Sequence, residues 1–417
     1  MRAILQKRPL RFIFAANMIS MLGSGMNSAA VAWYILQATH SEMALGTFAV
    51  LQTLPAMLML PFTGVIIDRE DRRRIVMILD AVRGIIIVVV AILAFQHRAK
   101  VWELYVMNTL VAAGFWMFWP TITALIQELT PDEEFVHANT FLLAGIQGGW
   151  LIAGSIVGFV YNKIGLGGVL LIDFSTYLVS FLCYLAVRKG KHVVAMPSGP
   201  HLDLALAESA VAKFWREMRE GLVFLRGKRD MIFLGITWAL FLGAMMTGVV
   251  VIPPLSDQIL HAGAIGYGWL NASWGCGAFF SALYAPQVIA SIGARRSITF
   301  SMAALAICMS LSPLSPLLAI AVILFAIMGT GRGVSSVAIN TSLMEQVPKH
   351  FMGRVQNTFY FAGTALQVVL GLAVGAVSQY NLIAGFALIG MVYALAFVVS
   401  SWPVTSNVRP EEAGVAN

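Results

Sequence analysis

Twelve apolar stretches, each nearly free of charge, constrain this chain more than any other feature: residues 12–36, 44–67, 75–95, 103–126, 138–162, 168–187, 231–253, 264–289, 297–313, 316–341, 356–378 and 382–402. A helix needs about 20 mostly apolar residues to cross a bilayer, and in lipid a helix satisfies its backbone within its own segment. Charged residues make up 11% of the 417 and apolar residues 59%, against about 25% charged in a soluble domain. That leaves too little polar surface to face water. A soluble enzyme, a disordered chain and a secreted disulfide scaffold are excluded. The expected fold class is all-α: a polytopic membrane protein with twelve transmembrane helices.

The 27 lysines and arginines orient the spans. With the N-terminus inside, 22 fall in inner segments and only Arg98, Lys100 and Lys163 in outer loops; Arg83 and Arg332 lie within spans. Cytoplasmic flanks collect Lys and Arg, so both termini are expected in the cytoplasm, with the chain in the cell (inner) membrane. The net charge of +7 is then a topology signal, and no nucleic-acid partner is expected. The first stretch exceeds the roughly 7–15 residues of a signal-peptide core and reads as span 1.

Residues 188–230 separate six spans from six. This segment opens with Arg188, Lys189 and Lys191, passes Pro197 and Pro200, and then turns amphipathic. Leu204, Ala207, Val211, Phe214, Met218, Leu222 and Leu225 recur at three- and four-residue steps, with Lys213, Arg216, Arg219 and Lys228 between them. The pattern predicts a helix lying on the inner membrane surface, apolar face in lipid and basic face toward anionic headgroups. A plain linker is the alternative. The expected division is a first bundle over 1–187, a linker over 188–230, and a second bundle with a tail over 231–417.

The two halves repeat at an offset near 220. Gly23 and Gly46 correspond to Gly243 and Gly266. Glu128-Leu-Thr-Pro131 with Asn139-Thr-Phe141 corresponds to Glu345-Gln-Val-Pro348 with Asn357-Thr-Phe359. Parallel six-helix repeats form a transporter architecture with a site between the halves. Cys183, Cys276 and Cys308 lie in apolar runs at no metal-ligand spacing, no histidine pair sits at i,i+4, and no phosphate loop occurs. No metal, no cofactor and no enzymatic activity are expected.

At the end of span 2 stands Gly64-Val-Ile-Ile-Asp68-Arg69-Glu-Asp71-Arg72-Arg73-Arg74. It resembles the signature loop of the major facilitator superfamily, with Asp71 in place of the family's second glycine. The variant resembles the branch of siderophore and macrolide exporters, as do Asp80-x-x-Arg83, Leu171-Ile-Asp173-Phe-Ser175 and Val347-Pro348 with Gly353-Arg354-Val355. The resemblance implies two pseudo-symmetric six-helix bundles rocking about a central site. It also implies a gate of Gly64, Asp68, Arg69, Arg72, Arg73, Asp80, Arg83 and Arg354, in which Asp68 meets the start of span 11. Positive-inside anchoring by the arginines is the simpler reading of the same loop. A worn copy, Gly293-Ala-Arg295-Arg296, follows span 8. The family's span 5 antiporter motif lacks its proline here, and the span 4 arginine of many proton-coupled exporters is missing.

Within spans, polar residues are costly unless they face protein or water. Asn17, Ser20, Ser24, Asn27 and Ser28 share one face of span 1. Asn17, Ser24 and Asn27 are candidates to bind substrate, as are Trp116, Trp119, Trp238 and Met245, whose rings and thioether suit a bulky amphipathic ligand. Helix packing is the rival reading for all of them. Arg332, deep in span 10, either attracts an anionic group or ties helices together. Asp80 and Arg83 are i,i+3 neighbours, so a static pair competes with a gate. Asp80 and Asp173 are the intramembrane carboxylates that could carry a coupling proton. The resemblance implies a monomeric secondary transporter exporting a hydrophobic or amphipathic small molecule, siderophore or drug-like, with protons as coupling ion and membrane lipid around it. An importer or lipid flippase on the same fold is the alternative, and a non-transporting receptor or scaffold a remote one.

Overall fold

The computed structural model describes residues 8–130, 132–187 and 204–402. Among them there is no strand. The helices are α1 (Arg8–Thr39), α2 (Glu42–Arg69), α3 (Arg72–Phe95), α4 (Val101–Leu129), α5 (Asp132–Ala186), α6 (Leu204–Leu225), α7 (Arg229–Met246), α8 (Gly248–Pro254), α9 (Gly263–Ile292), α10 (Ala294–Leu311), α11 (Leu318–Gln346), α12 (Lys349–Tyr380) and α13 (Leu382–Ser401). A π-helical turn, Leu255–Ile259, follows α8.

Nine of these helical stretches are long and apolar enough to cross a membrane among the described residues, or ten if the bent pair Gly263–Ser281 and Leu283–Ile292 counts as one span. The count is consistent with twelve. Gly148–Ala186 holds two expected spans, because α5 breaks at Gly165 (φ 65°, ψ −171°). Only glycine reaches that conformation without a Cβ penalty. Helix α1 is absent from the nine although it has 32 residues. Its asparagines, serines and glycines lower its apolarity, and it compensates by burial against protein.

Local chemistry sets several boundaries. The Ser41 side chain accepts from Ala44 N at the start of α2, Asp71 from Arg73 N and Arg74 N at the start of α3, and Asn381 from Ala384 N at the start of α13. Each satisfies a backbone donor that a helix start leaves free. Two turns mark the repeat. His40, after α1, has φ 48°, and His261, after the π turn, has φ 47°. Both lie in the left-handed region that ends helices and that histidine enters more readily than most residues.

Helix α1 packs along both limbs of α5, and α3 packs on α4 and α5. In the second half α9 packs on α11, α10 on α11 and α13, and α12 on α7. The halves meet along two seams, α2 with α12 and α5 with α9. Small residues permit the closeness of lipid-embedded helices. A Cβ added at Gly158 would stand 2.1 Å from Ala264 O, and one at Gly46 would stand 2.6 Å from Gly371 O.

Helix α6 forms, and most of its described apolar stripe docks on protein, while Leu222 stays exposed. Phe214, Met218, Gly221 and Leu225 are buried. Gly221 lies against Arg354 and Thr358, and Phe224 stacks on Phe351 at 4.5 Å. The reason is that the first turns of α12 offer an aromatic surface, so the stripe buries itself on protein.

Candidate functional site

The expected gate begins at the end of α2. Gly64 falls in the last turns of α2, and the side chains of Asp68 and Arg69 lie outside the described residues. Beyond them, Asp71 caps α3 through Arg73 N at 3.0 Å and Arg74 N at 3.3 Å. A glycine there could not supply this cap. Arg72 pairs with Glu128 of α4 at 3.4 Å and reaches Ala124 O at 3.3 Å. Arg73 donates to Tyr184 O at 2.7 Å and Leu185 O at 2.9 Å, the last turn of α5. Both arginines are thus held inside the first half. In the second half Arg295 donates to Ser400 O at 3.1 Å and to Trp402 O, at the end of α13. Arg354 pairs with Glu220 of α6 at 3.1 Å.

A second constellation is buried between α1, α3, α4 and the second limb of α5. Arg83 NH2 donates to Asp80 Oδ1 at 2.6 Å, and Ser180 donates to Asp80 Oδ2 at 2.6 Å. Arg83 is the largest fully buried side chain described. Its guanidinium lies 4.8 Å from the Phe118 ring centroid and 4.6 Å from that of Tyr177, and Gly114 makes room for its stem. The Tyr177 hydroxyl shares a 2.9 Å hydrogen bond with Ser24. Asn27 donates to Asp173 Oδ2 at 2.6 Å, and Thr176 flanks the same carboxylate at 3.4 Å. Asn17 donates to Tyr184 at 3.0 Å.

Asn17, Ser24 and Asn27, read as candidates to face a substrate, therefore turn toward α5. Asn17 and Asn27 are buried, since an amide in lipid is satisfied more cheaply by a neighbouring helix than by an open cavity. The two carboxylates differ. Asp80 has an arginine partner, the static pair of the i,i+3 reading. Asp173 is fully buried with no cation within ion-pair distance among the described residues.

A third group is spread over α4, α7, α11 and α12. Arg332 is the middle residue of α11, and its Nε contacts Met245 Sδ of α7 at 3.1 Å. It pairs with no carboxylate among the described residues. Trp116 of α4 meets Tyr360 of α12 edge-on at 5.7 Å across the two halves, and its Nε1 reaches Gln52 O at 3.5 Å. Trp238 meets Phe359 at 6.1 Å. Trp119 packs on the core of the first half. The half-buried members, Trp116, Trp238, Met245, Arg332 and Tyr360, present rings, a thioether and one guanidinium, chemistry suited to an apolar body with an anionic group.

One end of the molecule is sealed, by residues that no sequence motif singles out. At the end opposite Arg8, Gln258 donates to Glu42 at 2.6 Å and Ser41 donates to Gln379 at 2.6 Å. Trp33 stacks on Tyr267 at 5.7 Å. Each contact joins the two halves, and none lies in a repeat motif. Midway, Gln367 donates to Thr53. Along the α5–α9 seam, Gly154 and Gly158 meet Asn271 and Ala264, and Gly275 meets Leu151. Among the described residues no three His, Cys, Asp or Glu side chains converge as a metal site.

The sequence pattern that defines the Major Facilitator Superfamily matches residues 13–369. Macrolide efflux protein A of Streptococcus pyogenes is 22% identical over 367 residues, covering 86% of this chain and 85% of that protein. Enterobactin exporter EntS of Escherichia coli O1:K1 / APEC is 24% identical over 381 residues, covering 90% and 85%. Among solved structures, a bacterial homologue of the iron transporter ferroportin in an inward-facing state superposes with a TM-score of 0.73 at 13% identity, over 95% of this chain and 99% of that one. The nucleoside transporter NupG gives 0.72 at 12%, over 94% and 97%.

Proposed function

Because this chain belongs to the major facilitator superfamily, a family of multi-pass membrane transporters, we propose that it exports a hydrophobic or amphipathic small molecule by alternating access, driven by protons. The observation that carries the reading is Arg332. A guanidinium at mid-span must be paired or hydrated, and here it contacts a thioether and no carboxylate. It is therefore free to meet an anionic group on a ligand whose body packs on Trp116, Trp238 and Met245. The relatives named for macrolide efflux and enterobactin export support a cargo of that kind.

The end of the molecule bearing Arg8, Arg72, Arg295 and α6 is the cytoplasmic end, because basic residues gather there. The sealed end then faces outward, and the arrangement is the inward-facing state of the cycle. Cargo enters from the cytoplasm or inner leaflet. Rocking of the halves breaks the Glu42–Gln258 and Ser41–Gln379 contacts and closes the α5–α9 seam at the inner end. Ligand shifts this equilibrium only through unequal affinity for the two states.

Asp173 is the carboxylate we assign to proton coupling. Asp80 is held by Arg83 and Ser180, whereas Asp173 has only Asn27 and Thr176. It joins α1 to α5, so a change in its charge would alter packing within the first half.

The deciding experiment is flux in proteoliposomes of known orientation, against macrolides, catecholates and lipophilic cations, with and without a pH gradient. Extrusion from the cytoplasmic-end side, accelerated by the gradient, is expected. Arg332→Gln should weaken anionic members of the panel about tenfold or more and spare neutral ones. Uptake in the opposite direction alone would overturn the export reading.

A further inference from the structure

Helix α6 has three distinct faces. The helix packs on α12 and α2, and Phe214, Met218, Gly221 and Leu225 are buried. One flank carries Glu217 and Glu220, and Glu220 pairs with Arg354. The other flank carries Trp215 and Leu222, each 52% exposed, beside Arg219 and Arg226, with Arg216 and Val223 next around the helix. Exposed Lys213 shares the flank of Glu217 and Glu220, whereas over residues 211–226 the other flank carries no carboxylate.

The basic flank has a defined setting. Trp215 lies edge-on to Phe361 of α12 at 5.8 Å. Phe361, Ala365, Val369 and Leu372 follow one face of α12 at helical spacing, and Val369 is 63% exposed and Leu372 40%. The opposite side of α12 holds Tyr360 and Gln367, which meet α4 and α2 in the interior. The Phe361 stripe is therefore a lipid-facing surface. Trp215 extends it at the first turns of α12, where hydrocarbon gives way to headgroups.

We infer that this flank of α6 binds anionic phospholipid, with Trp215 and Leu222 at the acyl boundary and Arg216, Arg219 and Arg226 on the headgroup phosphates, and that bound lipid holds Glu220 against Arg354. Tryptophan favours that depth, an amphipathic helix with basic edges lies at that boundary, and the carboxylates are turned away to the protein side. The inference goes beyond the transport reading and needs no particular cargo.

The test uses the full chain with Cys183, Cys276 and Cys308 replaced by alanine and a spin label on Leu222→Cys. It is reconstituted in phosphatidylcholine vesicles with and without phosphatidylglycerol. Phosphatidylglycerol should raise collision of the label with oxygen and lower collision with a water-soluble nickel reagent. Replacing Arg216, Arg219 and Arg226 together by glutamine should raise the phosphatidylglycerol needed about a hundredfold, at roughly fivefold per arginine, with thermal unfolding unchanged. In Glu220→Gln the label should still enter lipid, while hydrogen exchange at residues 349–358 loses its slowing by phosphatidylglycerol. A label equally aqueous in both vesicles, or a triple variant that titrates like its parent, overturns the lipid site. So does a label that is covered in native membranes alone, which would give the surface to a protein. Retained slowing in Glu220→Gln overturns the link to Arg354.

Discussion

Arg295 repeats at the end of α13 the contact that Arg73 makes at the end of α5. Arg73 donates to Tyr184 O and Leu185 O, and Arg295 to Ser400 O and Trp402 O. The two arginines stand about 220 positions apart in the chain, as do their acceptors. A helix ends with carbonyls lacking partners and with the negative pole of its dipole. One arginine in each half answers both needs. The conserved geometry explains why the worn loop after span 8 keeps Arg295 although it lacks the aspartate.

Arg73→Ala and Arg295→Ala should each destabilise the chain by about 1–2 kcal/mol. The two sites lie in different halves, so the losses should add. Thermal unfolding of the two single variants and the double variant in detergent checks this. An Arg73→Ala chain as stable as its parent would remove the capping account.

The Asp80–Arg83 pair is fully buried, so breaking it from one side should be far worse than removing it. Arg83→Ala is expected to cost about 3–5 kcal/mol by leaving a carboxylate without its cation. The double variant Asp80→Asn, Arg83→Gln should recover much of that loss. Yield of folded protein and unfolding temperature report both outcomes.

Asp173→Asn keeps an acceptor for the Asn27 amide and removes the charge. It should fold and bind cargo, yet transport at one rate with or without a pH gradient. The double variant Asp80→Asn, Arg83→Gln, which removes the buried pair from both sides, should keep its response to the gradient. Equal gradient dependence in Asp173→Asn and parent would return coupling to another group.

Gly158→Val places side-chain atoms where even a Cβ would lie 2.1 Å from Ala264 O. The α5–α9 seam could not close at the sealed end, and the population should shift toward outward opening. With the three native cysteines replaced, a cysteine introduced at Ala264, which is buried at the seam, should then react several-fold faster with an impermeant thiol reagent added from outside. Gly145→Val, where a Cβ meets nothing within 4 Å, should change this rate little.

Much of the architecture was legible in the chain because lipid is a demanding solvent. Apolar length announces spans, and the near-220 offset announces two halves. The loop from Gly64 to Arg74 gave the family. The site was less legible, since a polar residue in a span states only that it has a partner and does not name it. Asn17 and Asn27 read first as cavity residues with packing as the rival, and in the structure they turn toward α5, which lies beside α1. Asp80 and Asp173 look alike in sequence; Arg83 and Ser180 distinguish them by answering only the first. Arg354 was expected to meet the Asp68 loop, whose Asp68 side chain lies outside the described residues; among those described, Arg354 pairs with Glu220.

The sequence by itself determined the solvent, the number and order of apolar segments, the repeat and the family, because each follows from residue type and spacing along one dimension. Tertiary structure alone decided which half each arginine serves, which carboxylate lacks a cation, and which end is sealed. Glu42 with Gln258 and Ser41 with Gln379 lie more than 200 positions apart. Hydrogen bonds and helix contacts act over a few ångströms, so such pairings exist only once the two halves have closed on one another.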